Sequence, residues 1–144
     1  MMIEINNQSG RAIPHDFLKD WCQRLSRELK LQKKELVIAF LNEKEMRALN
    51  KKFRGKNYAT DVLSFGSDDP DSYGELVICP QVITRQARDH GLLVREELGY
   101  MVLHGVLHLL GYDHERSERE AKKMFALQDK VFEHLCGSRQ TVKS

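Results

Sequence analysis

At 144 residues the chain is long enough to bury one sizeable core without disulfide staples, and it reads as one domain. With 41% hydrophobic and 31% charged residues it has an ordinary soluble globular profile. A formal net charge of +2 is too mild to declare a nucleic-acid partner, so any basic surface must come from local clustering. The N-terminus shows no basic leader followed by an apolar run, and the longest apolar stretch, Leu98 to Leu110, is too short to span a bilayer. Cys22, Cys79 and Cys136 are odd in number, far apart and without a C-x-x-C, which suits reduced thiols in a cytoplasmic protein.

In chain order, Met2 to Asn6 alternates weakly and suits a first strand. From His15 to Leu31, Phe17, Leu18, Trp21, Cys22, Leu25 and Leu29 recur at helical spacing, with Trp21 expected in the core. Glu35 to Leu41 is a nearly continuous apolar, β-rich run and reads as a buried strand. Asn42 with Glu45 resembles a capping box, opening a helix from Glu43 to about Phe53 with Met46, Leu49 and Phe53 inward. A basic, turn-like segment holds Lys51, Lys52, Arg54 and Lys56, and Thr60 to Phe65 is strand-like. The polar loop from Gly66 to Tyr73 lacks the glycine and final glutamate of an EF-hand and reads as a solvated hairpin loop. Gly74 to Cys79 is a fourth strand.

Pro80 opens a helix that stops at Gly91, and Val94 to Leu110 forms the next, acidic at its start with Glu96 and Glu97. Its second half is apolar all round, as a buried central helix would be. Ser117 caps a last helix with Met124, Leu127, Val131 and Leu135 as its stripe, flanked by Phe125 and Phe132 and ended by Gly137. The order β-α-β-α-β-β-α-α-α predicts an α+β domain: a small mixed four-stranded sheet packed by about five helices. The domain is expected over 1–137, with 138–144 a loose tail.

Near the end of the central helix stands H-x-x-x-H-x-x-G-x-x-H, made by His104, His108 and His114. Residues four apart share a helix face, and Gly111 is the type that reverses a chain at a helix end, so three imidazoles can converge. One such histidine would be an ordinary core residue, but three at this spacing form a metal motif. Zinc with a fourth position open to water is the simplest occupant. Such an ion offers a Lewis acid and a water whose pKa falls from about 16 to about 7. The spacing is that of metzincin peptidases, but where those carry a general-base glutamate this chain has Gly105. Asp113 either orients a ligand histidine or caps the turn. Phosphodiester cleavage would also need a cation for the charge building on phosphoryl oxygens, and Arg54 is the candidate. From the local sequence alone, Arg54 and its lysine neighbours read more simply as a solvated charge cluster.

The strings Arg54-Gly55-Lys56, Thr60 to Phe65, Gly74 to Ile78 and His104 to His114 resemble, in order and spacing, the YbeY family of bacterial zinc-dependent endoribonucleases. The H-G-x-L-H-L-x-G-Y-D-H string is close to diagnostic, and the resemblance spans nearly the whole chain. It implies an α+β fold with a central mixed sheet and one zinc ion on His104, His108 and His114. It implies Arg54 as the functional arginine of the cleft, so that Arg54 and His114 are the expected catalytic residues. Asp61 either supports Arg54 or shapes the loop, and the resemblance does not choose. It further implies single-strand-type cleavage in small-subunit ribosomal RNA 3′-end maturation and ribosome quality control, with the RNA precursor and small subunit as partners and neither membrane nor DNA. Gly66 stands where the family often has proline, and Glu75 where it often has aspartate. Two other readings compete: a ribosome-assembly binding factor whose zinc is structural, with Cys79 or another residue filling the fourth place, and a metzincin-like peptidase. The proton acceptor stays open among zinc hydroxide, Glu115 and Asp113.

Overall fold

The computed structural model describes residues 1–136, so Gly137 and the expected tail lie outside the described residues. In chain order the elements are β1 (Met2–Asn7), α1 (His15–Glu28), β2 (Glu35–Phe40), α2 (Glu43–Arg54), β3 (Val62–Phe65), β4 (Ser72–Ile78), α3 (Pro80–His90), α4 (Val94–Leu109) and α5 (Glu118–Cys136). The strands form one sheet in the order β1-β2-β4-β3; β1, β2 and β4 are parallel neighbours and β3 runs antiparallel to β4. The fold is therefore α+β with a mixed sheet, as the element order predicts.

Both faces of the sheet are covered, which is why β2 reads as a continuous apolar run. On one face Leu36, Ile38, Phe40, Leu76 and Ile78 pack with Leu18, Trp21 and Leu25 of α1 and with the body of α4. On the other, Leu63 and Val77 meet Met46 of α2 and Val82 of α3. Helix α4 touches α1, α3, α5, β3 and β4, so its residues from Glu97 to Leu107 are all buried. It lies close against the sheet at Gly105, where an added Cβ would come within 2.6 Å of Leu76 Cδ2 and 3.2 Å of Ser64 Oγ. Ser64 Oγ donates to the Gly105 carbonyl oxygen at 3.2 Å, fixing that approach.

Helix ends follow the expected chemistry. Asn42 Oδ1 accepts the Glu45 backbone N–H at 2.9 Å, and Ser117 Oγ accepts that of Glu120 at 3.1 Å. One expectation needs correction. Phe53 is 56% exposed rather than inward, because Asn50, one turn earlier, takes the buried place on α2. Asn50 Nδ2 donates to the Tyr58 carbonyl at 2.8 Å, folding the loop after α2 back on the helix. Glu96 and Glu97 stand in the first turn of α4 as expected; Glu97 is 1% exposed and meets His90 Nδ1 at 2.6 Å, joining the end of α3 to the start of α4. Glu96 does the capping, accepting the Leu93 backbone N–H at 2.9 Å.

Candidate metal centre

His104 and His108 project from the last turns of α4. Beyond them the helix closes in a Schellman arrangement: the Gly111 N–H donates to the His108 carbonyl at 3.0 Å and the Tyr112 N–H to that of Leu107 at 3.1 Å. Gly111 takes φ +104, a conformation that a side chain resists, and this reversal carries His114 back to the helix. The ring centroids are 4.8 Å apart for His104–His108 and 5.0 Å for each of the other two pairs.

A tetrahedral ion with nitrogens at about 2.0–2.1 Å sets those nitrogens about 3.4 Å apart. The available ligand atoms of the three histidines all lie within 4.8 Å of one another, and His108 Nε2 and His114 Nδ1 are 3.0 Å apart, so the donor set brackets that spacing. Among the described residues these three are the group able to hold an ion. Cys79 does not join it: its thiol lies in the cluster on the opposite face of the sheet and contacts Gln81 Oε1.

Protonation also suits a cation. Burial holds His104 below its ordinary pKa, opposed in part by its bond to Gln128. Burial, then the neighbouring His104 and His114, push His108 down to about 4. Both rings are thus neutral, as ligands must be. The tautomer of His104 is fixed from behind. Gln128, fully buried on α5, accepts from His104 Nδ1 at 2.9 Å and donates through its own Nε2 to the Tyr100 carbonyl at 3.4 Å, leaving His104 Nε2 for the ion. Sequence reasoning missed Gln128, although a polar residue four beyond Met124 and three before Val131, inside an apolar stripe, is a visible signal.

The histidines open on a cleft of ≈ 910 Å³ whose lining includes Arg54, Lys56, Asp61, Asp113 and Glu115. Arg54 closes α2, where the helix dipole favours a cation, and pairs with Glu115. Glu115 Oε1 is also 3.8 Å from His114 Nε2, so one carboxylate links the arginine to the histidine cluster. The Arg54 bond is the first cause holding the Glu115 carboxyl below its usual range. Asp113 accepts the Glu115 backbone N–H at 2.9 Å and so shapes the turn. Asp61 Oδ1 accepts the Val62 N–H at 2.7 Å, and its Oδ2 accepts Gln86 Nε2 at 3.2 Å, which places it at the head of β3 rather than on Arg54.

The chain is similar to known proteins over most of its length. A relative named Endoribonuclease YbeY from Bdellovibrio bacteriovorus is 54% identical over 143 residues, covering 94% of this chain and 95% of the relative. One of the same name from Persephonella marina is 41% identical, with 92% of each covered. A Thermotoga maritima protein solved in solution superposes with a TM-score of 0.65 at 34% identity, over 92% of this chain and 87% of its own. The family model described as Endoribonuclease YbeY matches residues 4–136, nearly all of the described chain, and the protein accordingly belongs to that family.

Proposed function

We propose that the protein is a zinc-dependent endoribonuclease that cuts unpaired RNA, acting in the cytoplasm on small-subunit ribosomal RNA precursors at the 3′ end and in ribosome quality control. One observation carries the chemistry: three convergent imidazoles share a cleft with an arginine placed one carboxylate away. The names of the relatives support RNA as the substrate. No helix among the described residues is long and apolar enough to cross a membrane.

His104, His108 and His114 would hold the ion, which when bound supplies Lewis acidity toward a phosphoryl oxygen and acidifies a water. Gln128 keeps the His104 ring in the tautomer and orientation that binding needs. The Arg54 guanidinium offers a fork of donors to the phosphate, stabilising the charge that builds on its free oxygens. An incoming phosphate displaces Glu115 from Arg54, and the released carboxylate, beside His114, is placed to take a proton. The peptidase reading fails on packing. Gly105 sits against Leu76 and Ser64, so a glutamate there would be driven into the sheet instead of the cleft.

The test pairs metal content with RNA cleavage. His108→Ala is expected to lose both. Arg54→Lys is expected to keep the metal and lose about 100-fold or more in kcat/KM, because a point charge does not replace the planar fork. Metal-free protein cutting RNA as fast as loaded protein would end this reading, and a loaded protein that binds RNA without cutting it would make it a binding factor.

A further inference from the structure

Three large aromatic side chains stand exposed among the described residues: Phe53 at 56%, Tyr58 at 53% and Phe125 at 39%. All three line the cleft that holds the histidines, whereas the exposed aliphatic residues Met2, Leu93, Val94 and Leu110 are not among its lining. Phe53 is turned out beside Arg54, its ring set edge-on to Phe65 at 5.2 Å. Phe125 flanks the stripe of α5 and lies nearly parallel to the His104 ring, at 5.9 Å and 23°, with His114 at 5.6 Å. Each ring is steadied by a neighbour while much of its surface stays in water, and the Lys52 ammonium that lies 5.3 Å from the centre of the Phe53 ring is an exposed group that an arriving base would displace. That arrangement forgoes hydrophobic stabilisation unless a flat apolar partner arrives.

We propose that Phe53, on the Arg54 wall, and Phe125, on the histidine wall, are stacking platforms for the unpaired bases that flank the scissile phosphate. The inference rests on the endoribonuclease reading and names the residues that would select single strands. Every base has a π face, so such platforms impose little sequence preference. A base inside a duplex already has both faces stacked and cannot use them. Arg54 and Lys56, on the same cleft wall, take the backbone between the platforms.

The experiment uses metal-free full-length protein, so that cleavage does not intervene. Its probe is a short single-stranded RNA carrying a fluorescent purine analogue at successive positions. Stacking is expected to quench the analogue at two positions. Phe53→Ala and Phe125→Ala should each remove one quench and weaken binding about tenfold. Tyrosine at either position should restore both readings, and leucine, which keeps bulk without a π face, should not. A duplex of the same sequence should bind wild type and variants alike. Leucine variants that bind single strands as tightly as wild type, or equal losses on duplex, would overturn the proposal. Should Phe125→Ala disturb the His104 ring or the fold, the tyrosine-against-leucine contrast and the Phe53 variants still decide. Metal-loaded wild type that cuts single strands while the metal-free variants bind them unimpaired sinks the platforms alone; wild type that neither binds RNA when metal-free nor cuts it when loaded removes the function reading with them.

Discussion

The histidines converge, and what makes them a site is the set of residues that fixes their rings. Gln128 is the clearest case, since its one buried amide ties α5 to the tautomer of His104. Gln128→Leu keeps the volume and removes the acceptor, so metal affinity should fall about 10- to 100-fold while the fold is retained. Gln128→Glu, which still accepts from Nδ1, should retain more of it. A competition titration against a chelator reads both, and equal affinities for the leucine variant and wild type would remove the positioning role. Glu115 acts in the opposite sense, because its carboxylate holds Arg54 where a phosphate would. Glu115→Ala should lower KM for RNA, and its effect on kcat then separates a proton acceptor from a mere competitor. An unchanged KM would show that the Arg54–Glu115 pair is no obstacle to substrate.

At the level of elements, Gly105 decides how α4 meets the sheet. Gly105→Ala gains about 1 kcal/mol in helix propensity. Against that, its Cβ would lie 2.6 Å from a Leu76 side chain that is itself fully buried, and overpacking of this kind costs about 1–3 kcal/mol. A net loss of up to about 2 kcal/mol in a denaturant melt is the expected outcome, and a stabilised variant would show the contact to be slack. The element boundaries were largely legible because they rest on local chemistry: Asn42 and Ser117 as caps, Pro80 at a first turn, Gly111 at a reversal. The histidine motif was legible for the same reason, since helical geometry and one glycine suffice to converge it. Phe53 and Phe125 were not, because helical periodicity separates core from surface and has no term for a cleft wall. The pairing of Arg54 with Glu115 spans 61 residues, and nothing local to either names the other. The burial of Glu97 was not legible for a related reason: an acidic first turn suits the dipole whether it is solvated or, as here, buried against His90.

Across the whole molecule, the fold buries the end of α4 deeply enough to change the chemistry of its histidines, and that burial has a consequence for stability. His108 has an ordinary pKa of 6.5 and is pushed to about 4 in the folded protein, chiefly by desolvation. Above pH 6.5 neither the folded nor the unfolded chain protonates it, so it contributes nothing to pH dependence. Between 6.5 and about 4 the unfolded chain binds a proton that the folded one refuses, so the metal-free protein loses stability as pH falls through this window. His104, shifted in the same direction by the same cause, adds to the slope. A bound ion raises stability at neutral pH by mass action, but it requires neutral rings, so the loaded protein should lose more on acidification than the metal-free one. Urea melts at about pH 7 and about pH 5, with and without metal, measure both slopes. Replacing the titrating ring in His108→Gln should flatten the metal-free slope. If that variant loses as much stability between the two conditions as wild type, the acid sensitivity lies elsewhere in the chain, and burial at the end of α4 is not what keeps the site ready for a cation.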